Sequence, residues 1–195
     1  IPSEYLPDSQ EQRDEILGLM DGPVNVDAFI KEGTIFRPGD GIELETIALP
    51  GHKLEEVGFL NHSTGDFFTG DILLALAAPF FHGFQTARGF RETLSKIKQL
   101  INDGKIKRIL AAHHHPLDEE KAFDALKTTE TFLDDVKQTV IQEAKGIHFP
   151  ILWKHVCDRM NKQLEFRGYA MLEVQVNELI EDGILNSDNG RIARK

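Results

Sequence analysis

Three short stretches deliver side chains able to bind a metal ion: Pro50-Gly51-His52 in LPGHKLEE, Gly70-Asp71 in FFTGDIL, and His113-His114-His115 in ILAAHHHPLD. Each closes a run with the character of a β-strand. A histidine held in a loop by proline and glycine has its ring aimed by the backbone, which suits a ligand that must be fixed closely in space. Asp71 ends an apolar run, where a carboxylate is costly without a partner, and a cation is one such partner. Ala111 and Ala112 leave room before His113, and Pro116 ends its loop. Imidazole and carboxylate together suit zinc, with iron and manganese close behind. Each stretch also has an ordinary explanation alone: a turn histidine, an aspartate capping a helix, a solvated histidine run. Their order at three strand ends is what points to a site.

Composition narrows the chemistry. With 195 residues, 41% of them hydrophobic, the chain has enough apolar material for one or two domains. The single cysteine, Cys157, rules out an internal disulfide and a cysteine-based zinc site, leaving histidine and carboxylate as ligands. A formal charge of −10 disfavours nucleic acid and anionic membrane as partners, because phosphate binding draws on clustered Lys and Arg. A small-molecule substrate is the expected ligand. No apolar run approaches membrane-spanning length and the first residues carry neither a basic nor an apolar signal, so a cytoplasmic location is expected.

Periodicity supplies the elements that must hold these residues. Residues 9–20 predict a short helix, residues 24–33 a second one, and RPGDG a turn. Strands are predicted at residues 42–49, at VGFL and at FFTG, with NHSTGD as a turn that accounts for His62. Phe90, Leu94 and Ile97 recur at helical spacing, and a strand follows in IKRILAA. The intervening loop, with Phe80, Phe81, His82 and Phe84, is either a substrate wall or a plug of the core. From Asp118 the pattern becomes a long helix, then two more helices and a hairpin turning at Asp188-Asn189-Gly190, the helix-helix-wing order of a winged-helix module.

The three stretches, in this order and spacing, resemble the later half of the metallo-β-lactamase fold superfamily over residues 36–118. The resemblance implies an α/β fold: half of an αββα sandwich over residues 1–117, a connecting helix over 118–146, and a winged-helix-like domain over 147–195. It also implies that His52 ligates a first metal, Asp71 bridges two metals as the catalytic-site carboxylate, and His113 ligates the second, with His114 as second choice. Two zinc ions are implied in an intact site, with iron or manganese as alternatives. The family's first motif, His-x-His-x-Asp-His, has no counterpart, since His52 is the first histidine of the chain. The parent protein is thus expected to hydrolyse an ester, lactone, thioester or amide with metal-activated water, and this chain to be a fragment, inactive alone, with an incomplete site. The rival readings are a non-catalytic binding or assembly module on the same scaffold and an iron-dependent sulfur dioxygenase. A DNA-reading tail is disfavoured, because seven basic residues from Ile147 onward face seven acidic ones, and the candidate recognition helix holds Glu173, Glu178 and Glu181. Lacking the first half, the sheet is expected to bare Ile47, Leu49, Val57, Phe59 and Phe68. Self-association, or association with the missing N-terminal half, is expected to cover them.

Overall fold

The alternation in IELETIAL makes a strand, and the computed structural model, which describes residues 25–74 and 78–195 with positions 14, 18 and 22, places it within a six-stranded sheet. The strands are β1 (Ile35–Gly39), β2 (Ile42–Ala48), β3 (Val57–Asn61), β4 (Asp66–Gly70), β5 (Arg108–Ala111) and β6 (Leu117–Asp118), and they neighbour one another in chain order. Strands β1 to β4 form an antiparallel meander. Strand β5 lies parallel to β4, which requires a crossover, and helix α1 (Ala87–Asn102) supplies it. Thr86 caps α1 by accepting from Gly89 N, and Phe90, Leu94 and Ile97 form its buried face. Helix α2 (Glu119–Glu143) starts at Asp118, whose side chain accepts from Lys121 N, and buries Leu126, Leu133, Val136 and Val140.

Two expectations for the first forty residues change. RPGDG is not merely a turn: it ends β1 and enters a hairpin, with Asp40 and Gly41 at φ 51° and 75°, the left-handed conformations a tight β-turn demands. Residues 25–31 form no helix, and Val26 and Phe29 are exposed. A helix that short has no stability without a surface to pack on. The helix expected over residues 9–20 lies outside the described residues apart from positions 14 and 18.

Strand pairing sorts the sheet's side chains by face. Leu60, Phe67 and Ile109 sit opposite one another across β3, β4 and β5, and all three are buried in the core that α1 and α2 share. Ile47 and Leu49 are buried in that same core, so the expectation that they lie on a bare face is corrected. Alternation puts Phe59 and its partner Phe68 on the other side. There Phe36 meets Phe59 edge-on at 5.8 Å, and Phe36, Ile42 and Phe68 remain exposed.

The tail contains β7 (Lys145–His148), α3 (Phe149–Arg159), α4 (Phe166–Glu181), β8 (Leu185–Asp188) and β9 (Arg191–Arg194), with strand order β7-β9-β8. The β8–β9 turn has Asn189 and Gly190 at positive φ. Trp153 packs edge-on against Tyr169 at 5.2 Å, and the tail's buried residues join one core with those of the sheet. Glu178 of α4, read from sequence as part of an acidic recognition helix, instead caps α1. Its carboxylate accepts from Thr86 Oγ1 at 2.8 Å and from the Ala87 and Arg88 amides at 3.1 Å each. Arg88 in turn meets Asp182 at 3.0 Å. Among the described residues no helix is long and apolar enough to cross a membrane.

Candidate functional site

The loop carrying His52 is tied down at several backbone points. Leu49 N donates to Glu56 O at 2.8 Å, closing the loop at its base, and Thr93 Oγ1 of α1 donates to Pro50 O at 2.8 Å. Gly51 lies against α1 so closely that a Cβ there would stand 2.6 Å from the ring of Phe90, which accounts for the glycine before His52. The ring of His52 is oriented by Gly83, whose carbonyl oxygen lies 3.1 Å from Nδ1. A carbonyl only accepts, so Nδ1 is the donor to Gly83, and in the neutral ring that arrangement leaves the lone pair on Nε2. This is the tautomer and the backbone support typical of a metal-ligating histidine.

Asp71 is positioned by what flanks it. Ile72, Leu73 and Leu74 are buried immediately after it, and Ala112 N donates to Gly70 O at 2.9 Å, joining the ends of β4 and β5. Asp71 N donates to Glu56 Oε1 at 2.9 Å, and Glu56 Oε2 accepts from Lys53 N at 3.3 Å. Burial pushes the Glu56 carboxyl above its ordinary pKa, against the pull of those two amides. His113, at the end of β5, brings Nε2 to 2.9 Å from Asp71 Oδ1.

His52, Asp71 and His113 therefore line one cavity of about 800 Å³. Three separate strand ends meet there because β4 and β5 run parallel and finish side by side, while the loop after β2 is held beside them by α1. His114, the second choice after His113, is not among the lining residues, and its Nε2 is buried. His62 lies away from the cavity and pairs with Glu45 at 2.7 Å.

His82 and Arg167 also line the cavity and were not singled out as site residues from sequence. The His82 ring lies 5.6 Å from that of His113, centre to centre, and its Nε2 is buried without a partner among the described residues. Burial, then the neighbouring His113 and Arg167, depress its pKa. The only signal for it was its place in the phenylalanine-rich loop, which proves to be both wall and plug. Phe81 is core, Phe80 faces the cavity, and Phe84 is buried while still lining it. Arg167 of α4 stacks 5.5 Å over Phe80, so the tail forms part of the wall. Cys157 is buried elsewhere, with its thiol pushed up to about 12, and takes no part.

The donors suit a divalent metal in kind: one imidazole anchored through Nδ1, one carboxylate, and a second imidazole in contact with that carboxylate. In number they fall short. Among the described residues no three His, Cys, Asp or Glu side chains are gathered so as to hold an ion.

The fold is found in solved structures. The chain is similar to a metallo-β-lactamase family protein of Thermus thermophilus, with a TM-score of 0.70 over 89% of this chain and 56% of that one, at 16% identity. It is similar to a β-lactamase domain protein of Burkholderia ambifaria, with a TM-score of 0.64 over 85% of this chain and 52% of that one, at 17% identity. A stereoselective inverting sec-alkylsulfatase of a Pseudomonas species matches with a TM-score of 0.55 over 80% of this chain and 27% of that one, at 13% identity. No protein-family model matches the chain, and no curated protein does. The architecture is thus a partial metallo-β-lactamase fold, and the chain spans about half the length of the first two structures.

Proposed function

We propose that this chain carries part of the dinuclear metal site of a metallo-β-lactamase-type hydrolase, acting on an ester, lactone, thioester or amide. The observation behind this reading is the convergence of His52, Asp71 and His113 on one cavity, with the His52 ring anchored at Nδ1 by the Gly83 carbonyl. In this reading His52, Asp71 and His113 would be the residues of this chain that hold the metal. Zinc there would supply Lewis acidity and an acidified water near neutral pH. The chain's own contribution is positional: backbone-anchored loops fix the ligands, and Phe80, Phe84 and Met171 present apolar surface to the substrate. The remaining ligands would come from polypeptide outside this sequence, covering the sheet face that bears Phe36, Phe59 and Phe68. The tail, residues 147–195, would be a winged-helix-like module closing one side of the cavity, after a sheet domain over 1–117 and a connecting helix over 118–146.

The test is metal uptake and turnover by the purified chain. Zinc bound by the chain should be lost on His52→Ala and on His113→Ala, and retained on His62→Ala. Hydrolysis of thioesters and lactones by the zinc-loaded chain should fall well below the range of about 1–1000 per second usual for enzymes. Zinc uptake indifferent to His52 and His113 would remove the site, and enzymatic turnover by the chain alone would remove the shared-site reading.

A further inference from the structure

We infer that Glu56 is a positioning residue that sets the spacing of the two loops carrying His52 and Asp71. This rests on the reading of those residues as metal ligands. Glu56 lies at the base of the first loop, where its own carbonyl accepts from Leu49 N at 2.8 Å. Its side chain then reaches out of that loop to the end of β4. One carboxylate oxygen accepts from Asp71 N at 2.9 Å, while the other accepts from Lys53 N, the residue after His52, at 3.3 Å. One rigid, planar group therefore holds an amide from each ligand-bearing loop, at Asp71 itself and one residue from His52.

Gly70 shows how close that approach is. A Cβ at position 70 would stand 2.6 Å from Glu56 Oε1, and the glycine sits at φ +59°. The absent side chain before Asp71 is the space the carboxylate occupies. A half-buried carboxylate is expensive unless donors satisfy it, and here both oxygens have a backbone donor. A water molecule or an amide side chain could not take both N–H groups with one flat acceptor pair. A metal ligand's supporting hydrogen bonds commonly govern affinity nearly as strongly as the ligand itself. Glu56 acts one step earlier, on the backbone from which two ligands project.

The test is cobalt(II) titration of the full chain, followed by visible absorption, for the unsubstituted protein, Glu56→Gln and Glu56→Ala, with Glu55→Ala as the exposed neighbour. Glu56→Ala should weaken cobalt binding about 10–100-fold and shift its absorption bands. Glu56→Gln, which keeps one acceptor, should fall between, and Glu55→Ala should match the unsubstituted chain. A simple loop staple would lower the melting temperature of the Glu56 variants and leave their cobalt affinity within about twofold, which would overturn the inference. Metal-free protein gives a second reading by nitrogen and proton NMR. In Glu56→Gln the Lys53 and Asp71 amide signals and the His113 ring nitrogens should all move, and unmoved signals would overturn the inference even if Glu56→Ala fails to fold. If the unsubstituted chain takes up no cobalt, the ligand reading fails, and these metal-free signals decide the role of Glu56 alone.

Discussion

The two faces of the six-stranded sheet are built from the same strands and yet differ completely in finish. On one, Leu60, Phe67 and Ile109 lie in register and disappear into the core with α1 and α2. On the other, Phe59 and Phe68 pair just as regularly, but Phe68 is 44% exposed and Phe36 is 37% exposed. Adjacent residues of one strand, Phe67 and Phe68, thus experience a protein interior and an open surface. The cavity belongs to the finished side of this contrast, since its loops are tied to α1 and to the tail.

The largest expected effect separates these neighbours. Phe67→Ala should cost about 3–5 kcal/mol, a large share of the roughly 5–15 kcal/mol that holds an ordinary domain, because it opens a cavity in a close-packed core. Phe68→Ala should change chemical stability by no more than about 0.5 kcal/mol, as exposed substitutions do. Phe68→Asp should in addition shift a self-associated chain toward monomer in sedimentation. Equal destabilisation by the two alanine variants, measured by denaturant melts, would mean the outer face is already covered.

A smaller effect tests how the tail completes the finished side. Glu178→Ala removes the acceptor for the first amides of α1, and losing such a cap costs about 0.5–2 kcal/mol. The expected readout is a lower melting temperature together with faster amide exchange at Ala87 and Arg88. Unchanged exchange there would show that the tail is not what holds the start of α1.

The smallest effect concerns a pair on the exposed edge of the same strands. Arg108 forks onto Asp66 with bonds of 2.7 and 2.9 Å, and this holds the Asp66 carboxyl below its ordinary value of 3.8. The stabilisation is present above that value and is lost as the pH falls through the lower, folded one. Asp66→Asn should therefore flatten the stability curve between about pH 5 and pH 2, and leave less difference from the parent at the acid end than at neutrality. Parallel curves for the two proteins across that interval would show that the fork carries no charge-dependent stability.

Much of this was written in local sequence. The strand ends before His52, Asp71 and His113, the helical spacing of Phe90, Leu94 and Ile97, and the turn at Asn189-Gly190 all depend on backbone preferences and on periodicity within a few residues. Such features persist wherever the segment folds, which is why the fold class could be read in advance. Strand β1 escaped because its proline and glycines look like a turn in isolation, and only pairing with β2 makes it a strand.

Tertiary structure alone decided which residues meet. Glu56 reaches Asp71 across 15 positions and Glu178 reaches Thr86 across 92. Nothing in KLEEV or VQVNELIE marks either glutamate as different from its neighbours. Alternation specified that Ile47 and Phe68 would face opposite ways from their strand neighbours, but not which face α1 and α2 would cover. The same holds for His82 and Arg167, which enter the cavity because one loop folds under the tail and α4 docks above it. Local preference sets the direction of a side chain relative to its own strand or helix. Its neighbours are set by how those elements pack, and that depends on the burial of the whole chain.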